Sequence, residues 1–324
     1  MSTLHDRLIV IDGLNVSNFS RGVFEDMRRG GVTASNCTSC VWENFTETMR
    51  NTARWKTWLR ENADLITQIY TTEDIHRAKR ESKAGIILGW QNSSGIEDRI
   101  EYLALFHELG LRIIQLTYNT QNLVGSGCYE TRDSGLSDFG RDVLAEMNRL
   151  GILCDLSHVG AKTSEDAIWA SKQRVAYSHC LPAGLKAHPR NKSDEQLRFI
   201  ADRGGFVGVT MFPAFLKRGP AATVDDYVEA IEYVINLCGE DVVGIGTDFA
   251  QEYGRAFFDW ITHDKGSGRK LVDFGEVLNP EGMRKIGDFP NLTAAMQRHG
   301  WPQTRIEKVM GGNWLQLLKD VWGR

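Results

Sequence analysis

Eight short runs of apolar and β-branched residues recur along this chain, and each is followed by a segment with helical periodicity. The runs begin at residues 7, 31, 84, 111, 152, 174, 205 and 242, and a shorter run at 68–73 is set aside. Strands that alternate with helices predict a parallel sheet. Eight such units complete a ring, so the sequence predicts an α/β fold of the (β/α)8 TIM-barrel type. An open doubly wound sheet would show fewer units and usually a glycine-rich turn after the first strand, which is missing here.

The segments between the runs carry helix-capping signals. Ser137 precedes a periodic stretch that ends at Gly151, and further helices are expected at 41–64, 164–171, 193–202 and 223–238. After the last strand, residues from about 250 to 289 form an expected excursion over the active site. Helices at 292–298, 305–310 and 313–322 then close the barrel. We therefore expect residues 1–324 to form a single barrel domain.

The overall charge and composition exclude several function classes. The net charge is −4, from 38 basic and 42 acidic residues, which gives no electrostatic basis for binding nucleic acid or an anionic membrane. No apolar run approaches the roughly 20 residues that span a bilayer, and the N-terminus does not resemble a secretory signal. The six cysteines are therefore expected to be reduced thiols in the cytoplasm, and the Cys37–Cys40 pair is interpreted as coincidental.

Polar residues at the ends of the predicted strands form a candidate site, because barrel enzymes carry their chemistry there. His158, His179 and Asp248 follow strands five, six and eight. Imidazoles from neighbouring strands converge on one point, as a metal site requires, and Asp248 is either a third ligand or a general base. Arg190 is a candidate clamp for a substrate carboxylate, with a surface salt bridge as the alternative. The expected neutral lining for a small substrate includes Asn15, Gln91, Tyr118 and Asn122.

Several segments of this chain resemble the renal (membrane) dipeptidase family, the M19 peptidases of the amidohydrolase superfamily. These are the segments 155–159 (DLSHV), 177–180 (YSHC), 190–191 (RN) and 244–249 (GIGTDF), together with the block from 135 to 151. The resemblance covers nearly the whole chain. It implies a (β/α)8 barrel, a two-zinc site, hydrolysis of dipeptides and a homodimer.

The resemblance also implies roles for individual residues. His158 and His179 match the two histidines of the family's second zinc. Asp248 matches the aspartate that binds the first zinc and handles the proton, and Arg190 matches the arginine that holds the substrate carboxylate.

Three departures from the family pattern affect the metal chemistry. The family's first strand ends in His-x-Asp, where this chain has Leu14-Asn15-Val16; Gln91 replaces the bridging glutamate, and Tyr118 replaces a substrate-contacting histidine. Leucine and valine have no lone pair to donate, and a neutral amide is a poor bridging ligand. We therefore predict that the first metal site is empty and that one zinc ion is bound at the second. Its third ligand would come from Asp248, the Gln91 oxygen or Cys128.

Three functions are compatible with these residues. The first is a dipeptidase-like hydrolase of a small amide or dipeptide with a mononuclear metal site. The second is a metal-free enzyme or small-ligand-binding protein on the same fold. The third is a conventional two-zinc dipeptidase with replacement ligands.

Overall fold

Nine parallel strands form the sheet in the computed structural model, which describes residues 3–323. The strands are β1 Ile11–Asn15, β2 Ala34–Thr38, β3 Ile66–Gln68, β4 Ala84–Trp90, β5 Leu111–Gln115, β6 Leu153–Asp155, β7 Val175–Cys180, β8 Phe206–Val209 and β9 Val243–Ile245.

Eight of these strands follow one another in the order β1-β2-β4-β5-β6-β7-β8-β9, and β3 only pairs with the first residues of β4. The ring is joined between its ends by a parallel bridge between Asn15 and Phe249. The Val16 amide donates to the Phe249 carbonyl at 2.8 Å, and the Asp248 amide donates to the Leu14 carbonyl at 3.0 Å. The predicted (β/α)8 barrel is therefore confirmed, and the run at 68–73 contributes no strand to the ring.

The α-helices cover the outside of the ring and both of its ends. They are α1 Leu4–Arg7, α2 Arg21–Arg29, α3 Phe45–Glu61, α4 Thr72–Arg80, α5 Tyr102–Glu108, α6 Asp138–Leu150, α7 Ala161–Ala170, α8 Asp194–Asp202, α9 Val224–Cys238, α10 Arg255–Ile261, α11 Phe289–Arg298, α12 Gln303–Glu307 and α13 Asn313–Trp322.

Capping chemistry accounts for the helix boundaries that the sequence predicts well. The Ser137 hydroxyl accepts from the Gly140 amide at the start of α6, and Gly151 ends that helix with a left-handed φ of 71°. Asn44 caps α3, so this helix begins four residues later than the periodicity predicts. Val41 instead packs in an apolar cluster with Tyr118 and Ile261.

The amino-terminal end of the barrel is sealed by α13. The first residues of the strands, such as Ile11 and Phe206, form one buried cluster with Trp314 and Leu317. The Trp314 indole donates to the Ile245 carbonyl at 2.7 Å. A Cβ at Gly13 would collide with the Trp314 ring, so only glycine fits at that position of β1. This packing closes the amino-terminal end, which we call the barrel floor. A site can therefore form only at the opposite end.

The segment after β9 lies over the opposite end of the barrel. Ile261 of α10 packs with Val41 and Tyr118 in an apolar cluster that Trp42 and Trp260 extend. We call these five residues the aromatic cover. None of the helices within residues 3–323 is long and apolar enough to cross a membrane.

Candidate active site

The carboxyl ends of the barrel strands bring the predicted site residues to one end of the ring. His158 lies three residues after β6, His179 lies within β7, and Asp248 lies three residues after β9. Asn15 ends β1, and Gln91 directly follows β4. The positions follow from the parallel register, since all strands of the ring point the same way.

His158 and His179 meet directly beneath the aromatic cover. Their Nε2 atoms are 2.9 Å apart, and their ring centroids are 5.0 Å apart. Both side chains are buried, and His179 has no exposed surface. The sequence therefore identified the pair that the fold brings together.

Neighbouring polar groups fix which nitrogen of each imidazole carries the proton. The Nδ1 of His158 lies 2.7 Å from the Asn119 Oδ1, which only accepts, so this Nδ1 is the donor. The Nδ1 of His179 lies 2.7 Å from the Ser178 hydroxyl. That hydroxyl donates to Asp155 Oδ2 at 2.5 Å, so it accepts from His179. Both Nε2 atoms consequently present lone pairs to each other.

Two facing lone pairs repel unless a proton or a metal ion lies between them. Burial lowers the pKa of both imidazoles well below 6.5, and the nearby Arg190 cation adds to this effect. A shared proton is therefore disfavoured at neutral pH. A partner that accepts two nitrogen lone pairs fits the position better.

Asp155 organises the local structure around both histidines. Its Oδ1 accepts from the Ser157 amide at 3.1 Å, the Ser157 hydroxyl at 2.6 Å and the Ser178 amide at 2.9 Å. The Ser157 hydroxyl in turn accepts from the His179 amide at 3.0 Å. One buried carboxylate thus fixes the ends of β6 and β7, as carboxylates that bind behind histidine ligands commonly do.

Arg190 braces the same two strand ends. Its guanidinium is 1% exposed and donates to the carbonyls of Ser157 and His179, the latter at 3.1 Å. Within residues 3–323 its Nε has no hydrogen-bond partner. The guanidinium also lies over the Phe215 ring, 5.3 Å from its centroid. The predicted contact with a substrate carboxylate stays a prediction, because two donors already bind backbone.

Lys192 is a second buried cation that the sequence reasoning did not identify. Its ammonium donates to the Val159 carbonyl at 2.9 Å and lies 4.7 Å from the centroid of the Tyr177 ring. Burial lowers its pKa to about 8. Because Arg190 and Lys192 bind the carbonyls on both sides of His158, the loop 188–192 holds that histidine in place. The position of Lys192 in the loop that follows His179 was the sequence signal available for this residue.

Asp248 lies in the segment after β9 and has a left-handed φ of 61°. Burial raises its pKa to about 6, and the Arg190 cation opposes this increase. Within residues 3–323 no three His, Cys, Asp or Glu side chains are placed to hold one ion. The structure thus joins His158 to His179 but adds no third ligand of these types, and the ligand role of Asp248 stays a prediction.

Two of the positions that hold the first zinc in the resembled family carry no donor here. Leu14 and Val16 are both buried. The Gln91 amide donates to the Thr38 hydroxyl at 3.0 Å, so it is engaged in joining β4 to β2. Asn15 accepts from the Ser17 amide at 3.0 Å, and its buried Nδ2 has no partner within residues 3–323.

The remaining predicted substrate contacts, Tyr118 and Asn122, have different surroundings. The Tyr118 ring stacks on His158, with centroids 4.2 Å apart and planes at 26°. The Asn122 amide donates to the Asn92 side chain at 2.9 Å and to the Leu116 carbonyl at 2.8 Å, which orders the loop after β5. Tyr118 therefore lies in the site, whereas Asn122 supports its wall.

Residues 14–258 match the family model for membrane dipeptidase (peptidase family M19). Among curated proteins, the chain is 29% identical over 262 residues to dipeptidase tcpJ of Claviceps purpurea, covering 80% of this chain and 56% of that protein. It is likewise 29% identical over 264 residues to dipeptidase aclJ of Aspergillus oryzae, covering 80% and 57%. The chain thus spans little more than half the length of these relatives.

Two solved structures match nearly the full chain. An amidohydrolase from Pseudomonas aeruginosa is 58% identical with a TM-score of 0.98, covering 99% of this chain and 98% of that one. A metallopeptidase from Rhodobacter sphaeroides, solved with a phosphinate mimic of the dipeptide L-Ala-D-Ala, is 21% identical with a TM-score of 0.82. It covers 97% of this chain and 99% of its own, and it supports the fold alone. Because the family match extends over most of the sequence, this chain belongs to the membrane dipeptidase family, peptidase family M19.

Proposed function

We propose that this chain hydrolyses a small amide of the dipeptide type and that its metal centre is reduced to one ion, zinc, on His158 and His179. The observation that carries the proposal is the 2.9 Å approach of two Nε2 atoms whose Nδ1 atoms are both occupied as donors. Family membership supports the reaction class.

The donor groups fit one metal position and not the other. At the first position only Asp248 is a charged donor, because Leu14 and Val16 offer none and Gln91 is a neutral amide whose Nε2 donates to Thr38. At the second, two imidazoles converge. Nitrogen ligands at about 2.0–2.1 Å from a tetrahedral zinc lie about 3.3 Å apart. The two Nε2 atoms, 2.9 Å apart, are therefore within about 0.4 Å of the spacing that one shared ion requires.

A bound ion would polarise the substrate carbonyl and lower the pKa of water. The chain's own residues would supply the remaining functions. Asp248, with its pKa raised to about 6, is suited to accept a proton near neutral pH. The unpaired Asn15 Nδ2 is a donor for a carbonyl oxygen, close to the junction of β1 and β9. The Tyr118 ring shields one face of His158 from water.

Elemental analysis of untagged protein tests this proposal. We expect about one equivalent of metal, reduced to near zero by His158→Ala or His179→Ala. The matched control is His76→Ala. His76 lies in α4, which contacts α13 at the opposite end of the barrel from the site. Turnover of L-Ala-D-Ala and related small amides should be lost in the same two variants. Absence of metal after growth with zinc, manganese and iron would refute the metal centre.

A metal-free enzyme or ligand-binding protein is the second candidate. It is favoured by the lack of a third His, Cys, Asp or Glu ligand within residues 3–323. It predicts activity or ligand binding that a chelator does not alter. The homodimeric state and the cytoplasmic location stay predictions, and size-exclusion chromatography with light scattering tests the first.

A further inference from the structure

A second pocket lies beside the ends of β1 and β2. Val16 and Thr38 line it on the barrel side, and Trp58 of α3 and Trp260 of α10 line it from outside. Its cavity volume is about 150 Å³, and it opens to solvent. We call it the aromatic pocket.

Ring surfaces dominate two walls of the aromatic pocket. On one side, Trp55 lies 4.6 Å from Phe19 and 5.0 Å from Trp58, measured between ring centroids. On the other side, Tyr253 and Phe257 stack with centroids 3.6 Å apart. Rings at these spacings offer faces and edges on which another planar group can pack.

Arg54 gives the pocket an available positive charge. Its guanidinium lies over the Trp58 ring, 5.9 Å from the centroid, and its side chain is exposed. Within residues 3–323 it makes no ion pair with a carboxylate. A planar guanidinium of this kind binds a carboxylate through two parallel hydrogen bonds.

The acidic residue of the pocket is already occupied. Glu43 Oε2 accepts from the amides of Val41 and Trp42 at 2.6 and 3.0 Å. Its Oε1 accepts from the Asn51 side chain at 3.0 Å. Glu43 thus orders the loop after β2 with both carboxylate oxygens bound to donors of the chain, which leaves Arg54 as the charged side chain of the pocket with which a ligand can pair.

Arg190 is buried and bound to the backbone, so an anionic group of the substrate calls for another cation. Two of its nitrogens bind the carbonyls of Ser157 and His179. Val16, which stands where the resembled family has a zinc-binding aspartate, contributes an apolar surface to the pocket instead. The valine therefore adds apolar character beside Asn15 of the candidate active site.

We propose that the aromatic pocket binds the far end of the substrate and that this end carries an aromatic ring and a carboxylate. This inference rests on the proposed function, since it names the substrate class of the same site. The ring packs between the Trp58 and Tyr253 walls, and Arg54 pairs with the carboxylate. Arg54 determines specificity and takes no part in bond cleavage.

Isothermal titration with two matched probes tests the pocket without relying on hydrolysis. Benzoylglycine carries a ring, an amide and a carboxylate, and benzoylglycinamide is its neutral counterpart. The full chain should bind benzoylglycine at least about tenfold more tightly than the amide. Arg54→Met, which keeps the apolar stem on Trp58, should remove that difference, whereas Arg54→Lys should retain part of it. Arg50→Met, on the same helix, is the control and should change nothing.

The outcomes separate this inference from the proposed function. Equal affinity for the two probes, equal effects of Arg54→Met and Arg50→Met, or no binding of either probe would each overturn it. His158→Ala should abolish hydrolysis and leave the affinity for benzoylglycine unchanged. If wild-type protein binds the probe as predicted but hydrolyses no amide, the pocket stands and the catalytic proposal fails.

Discussion

Replacing Asp155 by asparagine should reverse the tautomer of His179 while leaving the barrel folded. Three of the four hydrogen bonds to Asp155 end on Oδ1, which an asparagine oxygen replaces. Only the Ser178 hydroxyl binds Oδ2. In the variant an amide NH2 faces that hydroxyl, so Ser178 must accept from it and turn its own proton toward His179 Nδ1. His179 then carries its proton on Nε2 and donates to His158.

The structure sets the expected energies of this change. Three contacts persist with a neutral acceptor and one is reversed, so the free energy of unfolding should fall by about 1–3 kcal/mol. Asp155→Ala leaves at least three buried donors without an acceptor and should cost more than about 4 kcal/mol. Urea titrations of both variants measure these values.

The functional consequence is measured separately from stability. With a proton on His179 Nε2, the two converging lone pairs are lost, so the metal content should fall from about one equivalent to near zero. Nitrogen NMR of protein labelled in its histidines should show His179 changing from an Nδ1-protonated to an Nε2-protonated ring. If Asp155→Asn keeps its metal and its imidazole spectrum matches that of the wild type, the reasoning about the hydrogen-bond chain is wrong.

Three further predictions follow from the same contacts. The triple variant Leu14→His, Val16→Asp and Gln91→Glu should raise the metal content by about one equivalent, and an unchanged elemental analysis would count against the assignment of the first metal position. Because burial raises the pKa of Asp248 from 3.8 to about 6, the folded state holds its proton more tightly, and this contribution to stability is lost as the pH rises through about 6. Asp248→Asn should therefore flatten the dependence of urea stability on pH between about 4 and 6, and a parallel curve would contradict the assignment. Gly13→Ala should lower the free energy of unfolding by about 1–3 kcal/mol, because the new methyl group would collide with the Trp314 indole ring at the barrel floor. An unchanged free energy of unfolding would show that the Trp314 ring moves to make room.

Much of the candidate site was predictable because barrel register converts sequence position into spatial position. His158 and His179 lie at the ends of adjacent strands of one ring, so the order of the strands was enough to predict that they come together. The lack of metal-binding atoms at Leu14 and Val16 was also predictable from the sequence, because it depends on the side-chain chemistry and not on the fold.

Other parts of the site depend on contacts between distant segments. Asn119 reaches His158 across 39 positions, and Asp155 reaches Ser178 across 23. No local pattern encodes these pairings. The direction of the Arg190 guanidinium likewise depends on two backbone carbonyls that only the folded strand ends bring together.

The sequence by itself determined the barrel, the strand-end positions of the candidate site residues, and the lack of a metal donor at Leu14 and Val16. These features follow from periodicity and from the donor capacity of individual side chains. Only the tertiary structure decided how the two imidazoles are protonated, that Arg190 braces the backbone, and that Arg54 faces an aromatic pocket with no carboxylate partner among the described residues. Those features arise from distances between residues far apart in the chain, which the order of the residues does not specify.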